Sequence, residues 1–164
     1  MKAVVQRVKK ASVSVEGNPV GKINNGLLVY LGVSSKDTVK EVLWLADKII
    51  NLRIFGDDEG KMNLSILDII AKDIAINSAK NSDTGILVIS QFTLLGDCIK
   101  GRRPYFGEAA DPEMAKPLYD LFIKKISEQV KCEAGVFRAH MEVDSVNDGP
   151  ITIIIDTADL LLND

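Results

Sequence analysis

The stretch Asn147-Asp148-Gly149-Pro150-Ile151-Thr152 runs straight into Ile153, Ile154 and Ile155, so a turn hands over directly to an apolar strand. Proline has no N–H and a fixed φ, which confines it to a strand's first residue, an edge or a bulge. The glycine before it has no Cβ to crowd a molecule approaching the backbone. The bond between them can be cis at a cost of only ~0.5–1 kcal/mol. Two readings follow: a turn closing a hairpin, or a step that presents bare carbonyls to a small ligand.

A second segment, Gly85-Ile86-Leu87-Val88-Ile89-Ser90-Gln91-Phe92-Thr93-Leu94-Leu95, has a buried-strand pattern interrupted near its end by polar residues. Strand alternation predicts Gln91 and Thr93 on one face and Ser90 and Phe92 on the other. A buried amide or hydroxyl without a partner costs ~1–3 kcal/mol. These groups therefore serve either neighbouring strands or a ligand.

With both segments in hand, the chain resembles the D-aminoacyl-tRNA deacylases. The resemblance is carried by Ser90-Gln91-Phe92-Thr93-Leu94 and Asn147-Asp148-Gly149-Pro150-Ile151-Thr152. It is supported by Met1 to Val8 (MKAVVQRV), Asn51 to Phe55 (NLRIF), Lys61-Met62-Asn63 and Gly101-Arg102-Arg103-Pro104, in the family's order and over nearly the whole chain. It implies a cytosolic homodimer that cleaves the ester between a D-amino acid, or glycine, and the 3′ end of tRNA. It also implies a cis Gly149-Pro150 bond that reaches into the partner subunit's site, where its carbonyls exclude an L side chain. By the same resemblance Ser90, Gln91, Phe92 and Thr93 form a wall of the pocket for the aminoacylated adenosine. Phe137 and Met141 belong to that pocket, and Arg7 and Asn147 support the Gly-Pro loop.

The sequence departs from the family pattern in three places. Ile151 stands where valine is usual, and Arg138 stands where glycine is usual. A large cation at 138 either narrows the adenosine pocket or reaches a phosphate. Residues 71–84 form a longer connection than usual, expected to be an elongated surface segment.

With 164 residues, 46% apolar and 26% charged, the chain fits one domain spanning residues 1–164, able to bury ~68–70% of its extended surface. No apolar run approaches a membrane span and the N-terminus has no signal-peptide pattern, so a cytoplasmic protein is expected. Cys98 and Cys132 are far apart and lack C-x-x-C spacing, which points to reduced thiols rather than a disulfide or zinc site. A formal charge of −3 argues against a protein that coats nucleic acid, DNA included, by bulk electrostatics. The local cluster Lys100-Gly101-Arg102-Arg103 remains compatible with phosphate contact at one RNA terminus or with a solvated loop. Asp57-Asp58-Glu59-Gly60 resembles a calcium loop but lacks the alternating oxygen ligands and terminal glutamate. No metal or cofactor is expected.

Strands are predicted at residues 2–8, 11–16, 26–33, 52–55, 85–95, 136–146 and 151–156. Thr38 and Glu41 have capping-box spacing and open a helix with Val39, Val42, Leu43, Ala46, Ile49 and Ile50 on its apolar stripe. Trp44 lies off the stripe, toward the sheet edge or a partner chain. Asp111-Pro112 opens a second helix with Met114, Leu118, Leu121, Phe122 and Ile126 on one face, kinked or restarted at Pro117. The expected fold is mixed α/β and β-rich, a curled, barrel-like sheet covered by two main helices.

The single histidine, His140, falls by alternation with Arg138 and Glu142 opposite Phe137, Ala139 and Met141, a surface position rather than that of a catalytic base. Ser90 lacks the G-x-S-x-G elbow, so no triad is visible. Aminoacyl esters are activated, and positioning, an oxyanion site and water suffice for hydrolysis. The favoured scheme has the substrate's vicinal ribose hydroxyl help activate water, backbone N–H groups near Phe92 and Thr93 hold the oxyanion, and Gln91 and Thr93 orient the ester. Covalent attack by Thr93 is the alternative. The competing functions are a non-catalytic dimeric module docking RNA ends or DNA through residues 100–103, and a general esterase.

Overall fold

β1 (Lys2–Val15) organises the sheet by pairing with three other strands, all antiparallel. On one edge its first half pairs with β3 (Gly26–Gly32) and its second half with β2 (Asn18–Ile23). Its other edge carries β8 (Glu142–Asp156) over nearly its whole length. Beyond β3 the sheet continues through β6 (Gly85–Ser90) to β7 (Cys132–Ala134), both in parallel pairings. β4 (Phe55–Gly56) and β5 (Met62–Leu64) form a separate antiparallel pair. The computed structural model describes residues 1–77 and 84–162.

The sheet curls until its far strands approach. A Cβ placed on Gly21 in β2 would stand 3.2 Å from the Ala134 carbonyl oxygen in β7, a contact tight enough that the strands would have to part by a few tenths of an ångström. β3 and β6 are buried on both faces, as near-continuous apolar runs in parallel strands require. Leu27, Val29, Leu31, Ile86 and Val88 point to the larger core under the helices, whereas Leu28, Leu87 and Ile89 point into the curl with Val8, Ala11, Val13 and Ile23.

β1 is one strand where two are expected. Ala3 and Val5 face the helix-side core, yet Ala11 and Val13, of the same parity, face the curl. The cause is an irregularity in the β8 pairing: Val8 faces Asn147 but Lys10 faces Val146, so an extra residue at Lys9 reverses the alternation.

Three α-helices are present among the described residues, one more than expected. α1 (Val39–Ile50) has the predicted capping box, with the Thr38 N–H donating to Glu41 Oε2 at 2.7 Å. Its buried stripe is Val42, Leu45, Ala46, Ile49 and Ile50, while Val39 and Leu43 are exposed. Trp44 packs against the main core, with Lys48 Nζ 5.7 Å from its ring.

α2 (Ile66–Asn77) takes up the first part of the connection expected to be an extended surface segment, of which residues 78–83 lie outside the described residues. Ser65 and Asp68 cap its start: the Ser65 N–H and hydroxyl both donate to Asp68 Oδ2 at 2.8 Å. α3 (Pro112–Ser127) runs through Pro117 as one helix and buries Ala115, Tyr119, Phe122 and Ile126. Met114 is exposed, and Leu118 and Leu121 are only partly buried. The buried face is thus rotated from the predicted one.

Three strand predictions fail near the ends of elements; in the run 52–55 only Phe55 lies in a strand, β4. The run 85–95 stops being a strand at Ser90 and tightens into a 3-10 turn over Phe92–Leu95. Residues 136–141 form a turn-containing loop, and β8 starts only at Glu142, then runs through the Gly-Pro step without ending.

Candidate active site

A cavity of about 560 Å³ opens at the C-terminal ends of the parallel strands β3 and β6, within the size range of small-molecule sites. It is lined by Leu31, Val33, Ile89 and Ser90, by Gln91 and Phe92 after β6, by Ala115 and Tyr119 of α3, and by Phe137 to Met141 at its rim. Five predicted site residues are therefore brought together: Ser90, Gln91, Phe92, Phe137 and Met141.

The 3-10 turn changes their orientation from that expected of a strand. Gln91 and Thr93 do share a neighbourhood, because the Gln91 amide donates to Thr93 Oγ1. Thr93 itself is exposed and lies outside the cavity lining. The Gln91 N–H donates to the Leu31 carbonyl at 2.8 Å, which anchors the turn on β3. The first hydrogen bond of the turn runs from the Leu94 N–H to the Gln91 carbonyl. Phe92 and Thr93 precede it, so their N–H groups have no partner within the turn.

Aromatic contacts set the shape of the site. Tyr119 and Phe137 lie 5.7 Å apart between ring centroids, and Phe92 meets Phe106 edge-on at 5.1 Å. The Tyr119 hydroxyl donates to the Val88 carbonyl at 2.9 Å, and burial raises its pKa above the ordinary tyrosine value. Sequence reading overlooked Tyr119 and Ala115. Their i, i+4 spacing on α3 was the available signal, hidden beside a second apolar stripe.

Strand alternation puts His140 and Arg138 on a strand face; both instead belong to the loop lining the cavity rim. Arg138 has φ +65°, a left-handed conformation that bulky side chains adopt rarely. Lys100, Arg102 and Arg103 do not line the cavity. They lie in an exposed excursion closed by the Asp97–Tyr105 bridge, which begins two residues after Leu95 ends the 3-10 turn.

Gly149 and Pro150 are exposed and outside this chain's cavity. Their peptide bond is cis. Gln6 faces Thr152 and Val8 faces Asn147, so Arg7 lies opposite the whole excursion 148–151. Arg7 Nη1 donates to the Ile54 carbonyl at 2.6 Å. Its Nε stands 3.0 Å from Asp148 Oδ2 without hydrogen-bond alignment, so the contact is ionic. Asn147 accepts from the Ile151 N–H at 3.0 Å and donates to Thr152 Oγ1 at 3.0 Å, bracing the loop from within. Arg7 pairs with Leu27, four residues before Leu31 at the cavity, a separation of ~13 Å along the strand.

These features define a mixed α/β protein with a largely apolar cavity and a separate projecting backbone loop. A family model described as D-Tyr-tRNA(Tyr) deacylase matches residues 4–156. The D-aminoacyl-tRNA deacylase of Kosmotoga olearia is 52% identical over 157 residues, covering 96% of this chain and 97% of the relative. That of Thermosipho africanus is 52% identical over 158 residues, with the same coverages. A solved structure of a protein named c-Myc DNA Unwinding Element Binding Protein is 38% identical with a TM-score of 0.82, covering 95% of this chain and 98% of the other. A probable eukaryotic D-amino acid tRNA deacylase shares the fold at 17% identity and a TM-score of 0.74, covering 94% and 98%. The chain belongs to the D-Tyr-tRNA(Tyr) deacylase family and is a hydrolase acting on ester bonds.

Proposed function

We propose that this protein hydrolyses D-aminoacyl-tRNA, and glycyl-tRNA on non-cognate tRNA, releasing the free amino acid and tRNA in the cytoplasm. The observation that carries the reading is the division of labour within one chain. The pocket lies at Ser90, Gln91, Phe92, Phe137 and Met141, and the Gly149-Pro150 step is held out to solvent elsewhere. In a homodimer the step from one protomer completes the pocket of the other. Its carbonyls occupy the space an L side chain needs, while a D side chain points away and glycine has nothing to clash.

In the proposed reaction a water oxygen attacks the ester carbonyl carbon, helped by the ribose 2′-hydroxyl. The N–H groups of Phe92 and Thr93 receive the developing oxyanion, a role supported by their place before the first hydrogen bond of the turn. Gln91 and Thr93, already joined by a hydrogen bond, orient the ester. The bond to the ribose 3′ oxygen then breaks, and that oxygen takes up the proton. Lys100, Arg102 and Arg103, in the exposed excursion that follows the 3-10 turn, meet tRNA phosphates.

The test is release of tyrosine from D-tyrosyl-tRNA and L-tyrosyl-tRNA at catalytic amounts of protein. Rapid loss of the D ester alone is expected. Equal hydrolysis of both overturns chiral exclusion. The 38% identical structure, whose name describes a DNA-binding protein, favours a second reading, a nucleic-acid binding module without catalysis. It requires both esters to stay intact and uncharged nucleic acid to bind with strong salt dependence.

A further inference from the structure

We propose that Arg138, assisted by His140, binds the backbone phosphate immediately 5′ of the substrate's terminal nucleoside; this rests on the deacylase reading above. Among the described residues lining the cavity, Arg138 alone carries a permanent charge. The floor and walls are apolar apart from the neutral Ser90, Gln91 and Tyr119. Neutral groups of this kind suit a nucleoside, and the guanidinium suits an anionic part of the ligand.

The position of Arg138 fits the place where a chain would leave the pocket. It lines both the cavity and an adjoining groove on α3, so it stands on the ridge between them. In that groove Lys116 is paired with Asp120 at 2.5 Å, so its remaining charges are Arg138 on the ridge and Glu113 on α3. A phosphate is therefore favoured on the ridge and disfavoured deeper in the groove. No described carboxylate forms an ion pair with Arg138, whose side chain is exposed and available. Two residues on, His140 lines the same rim and can supply a further donor.

The backbone adds an independent observation. Arg138 holds φ +65°, which glycine would adopt freely. Non-glycine residues kept in this region cluster at ligand-contact sites. An Arg138→Gly change thus removes the cation while relaxing the turn, which separates loss of contact from loss of fold.

The experiment compares wild type, Arg138→Gly and Arg138→Lys on two substrates: D-tyrosyl-tRNA, and a D-tyrosyl ester of adenosine with no phosphate. Thermal melting establishes that each variant is folded. For tRNA, Arg138→Gly should raise KM about tenfold or more with kcat little changed. Arg138→Lys should restore part of the loss. The dependence of log KM on log salt should flatten by about 0.7 in the glycine variant, as expected for one lost phosphate contact to a single strand. On the nucleoside ester the three proteins should differ far less than on tRNA. An equal loss on both substrates, or no loss on tRNA, overturns the phosphate assignment alone. Wild-type protein that cleaves neither ester overturns the deacylase reading, and this inference with it.

Discussion

Arg7 Nε lies 3.0 Å from Asp148 Oδ2, tying the first strand of the chain to the loop that carries Gly149 and Pro150. The Arg7 side chain is only 15% exposed and also donates to the Ile54 carbonyl. One side chain thus fixes the loop from β1 and the segment before β4 together. Replacing Arg7 with alanine leaves the Ile54 carbonyl without its donor and Asp148 with only Lys9, 3.8 Å away, and should destabilise the fold by about 2 kcal/mol. Urea unfolding checks the stability. A variant that is also less selective for the D ester would link loop position to chirality.

At Gly149 the backbone has φ +125°, and an added Cβ would stand 2.8 Å from Ile151 Cγ1 and 3.1 Å from the Ile151 nitrogen. Gly149→Ala should therefore displace the loop locally, at a cost of about 1–3 kcal/mol, and lower deacylation at least tenfold. Unchanged turnover would remove Gly149 from the assigned role.

Thr93 is exposed and outside the cavity lining, with its hydroxyl engaged by Gln91. Thr93→Ala should keep substantial activity under the water mechanism. A loss of several orders of magnitude, with an acyl-enzyme trapped on wild type, would establish covalent attack instead.

The two thiols should differ sharply in reactivity. Cys98 is exposed, whereas burial pushes the Cys132 thiol up to about 11, so it is almost wholly protonated at neutral pH. A disulfide reagent should modify one thiol per chain quickly and the second only after denaturant is added. Fast double modification would contradict the packing around Cys132.

Hydrogen bonds from the Ser65 backbone and then its hydroxyl hold the Asp68 carboxyl below its ordinary pKa. Its folded pKa is depressed, so the contribution is present above the unfolded value and lost as pH falls through the folded one. Unfolding free energy should drop on acidification below about pH 4. The drop should be smaller in Asp68→Asn; an identical acid profile would rule out this cap as a contributor.

Much of the architecture was legible because burial on both faces leaves an unmistakable apolar run, as in β3 and β6, and because Thr38 and Glu41 mark a helix start unambiguously. The failures have local physical causes. An extra residue at Lys9 reverses side-chain parity, so one bent strand reads as two. The α2 sequence is rich in isoleucine at Ile66, Ile69, Ile70, Ile74 and Ile76, with Ile74 and Ile76 exposed, which blurs its helical period. The strand leading to the site runs true to Ser90, but the anchoring of Gln91 on Leu31 turns the next residues into a 3-10 turn that alternation does not foresee. Ser90, Gln91 and Phe92 lie in a motif of the resemblance, Phe137 and Met141 rest on the resemblance alone, and all five line the cavity. Alternation predicts Arg138 and His140 exposed, as they are, but not their place in a loop at the cavity rim, because a left-handed turn in this loop has no periodic signature.

The full-length pairing of β1 with β8 bears on how the protein emerges from the ribosome. β1 leaves the exit tunnel with one edge waiting for β8, which is synthesised well over a hundred residues later. At ~5–20 residues per second that interval is on the order of ten seconds. Throughout it β1 lacks the partner for that edge, and an unpaired strand edge is the kind of surface with which another chain can pair.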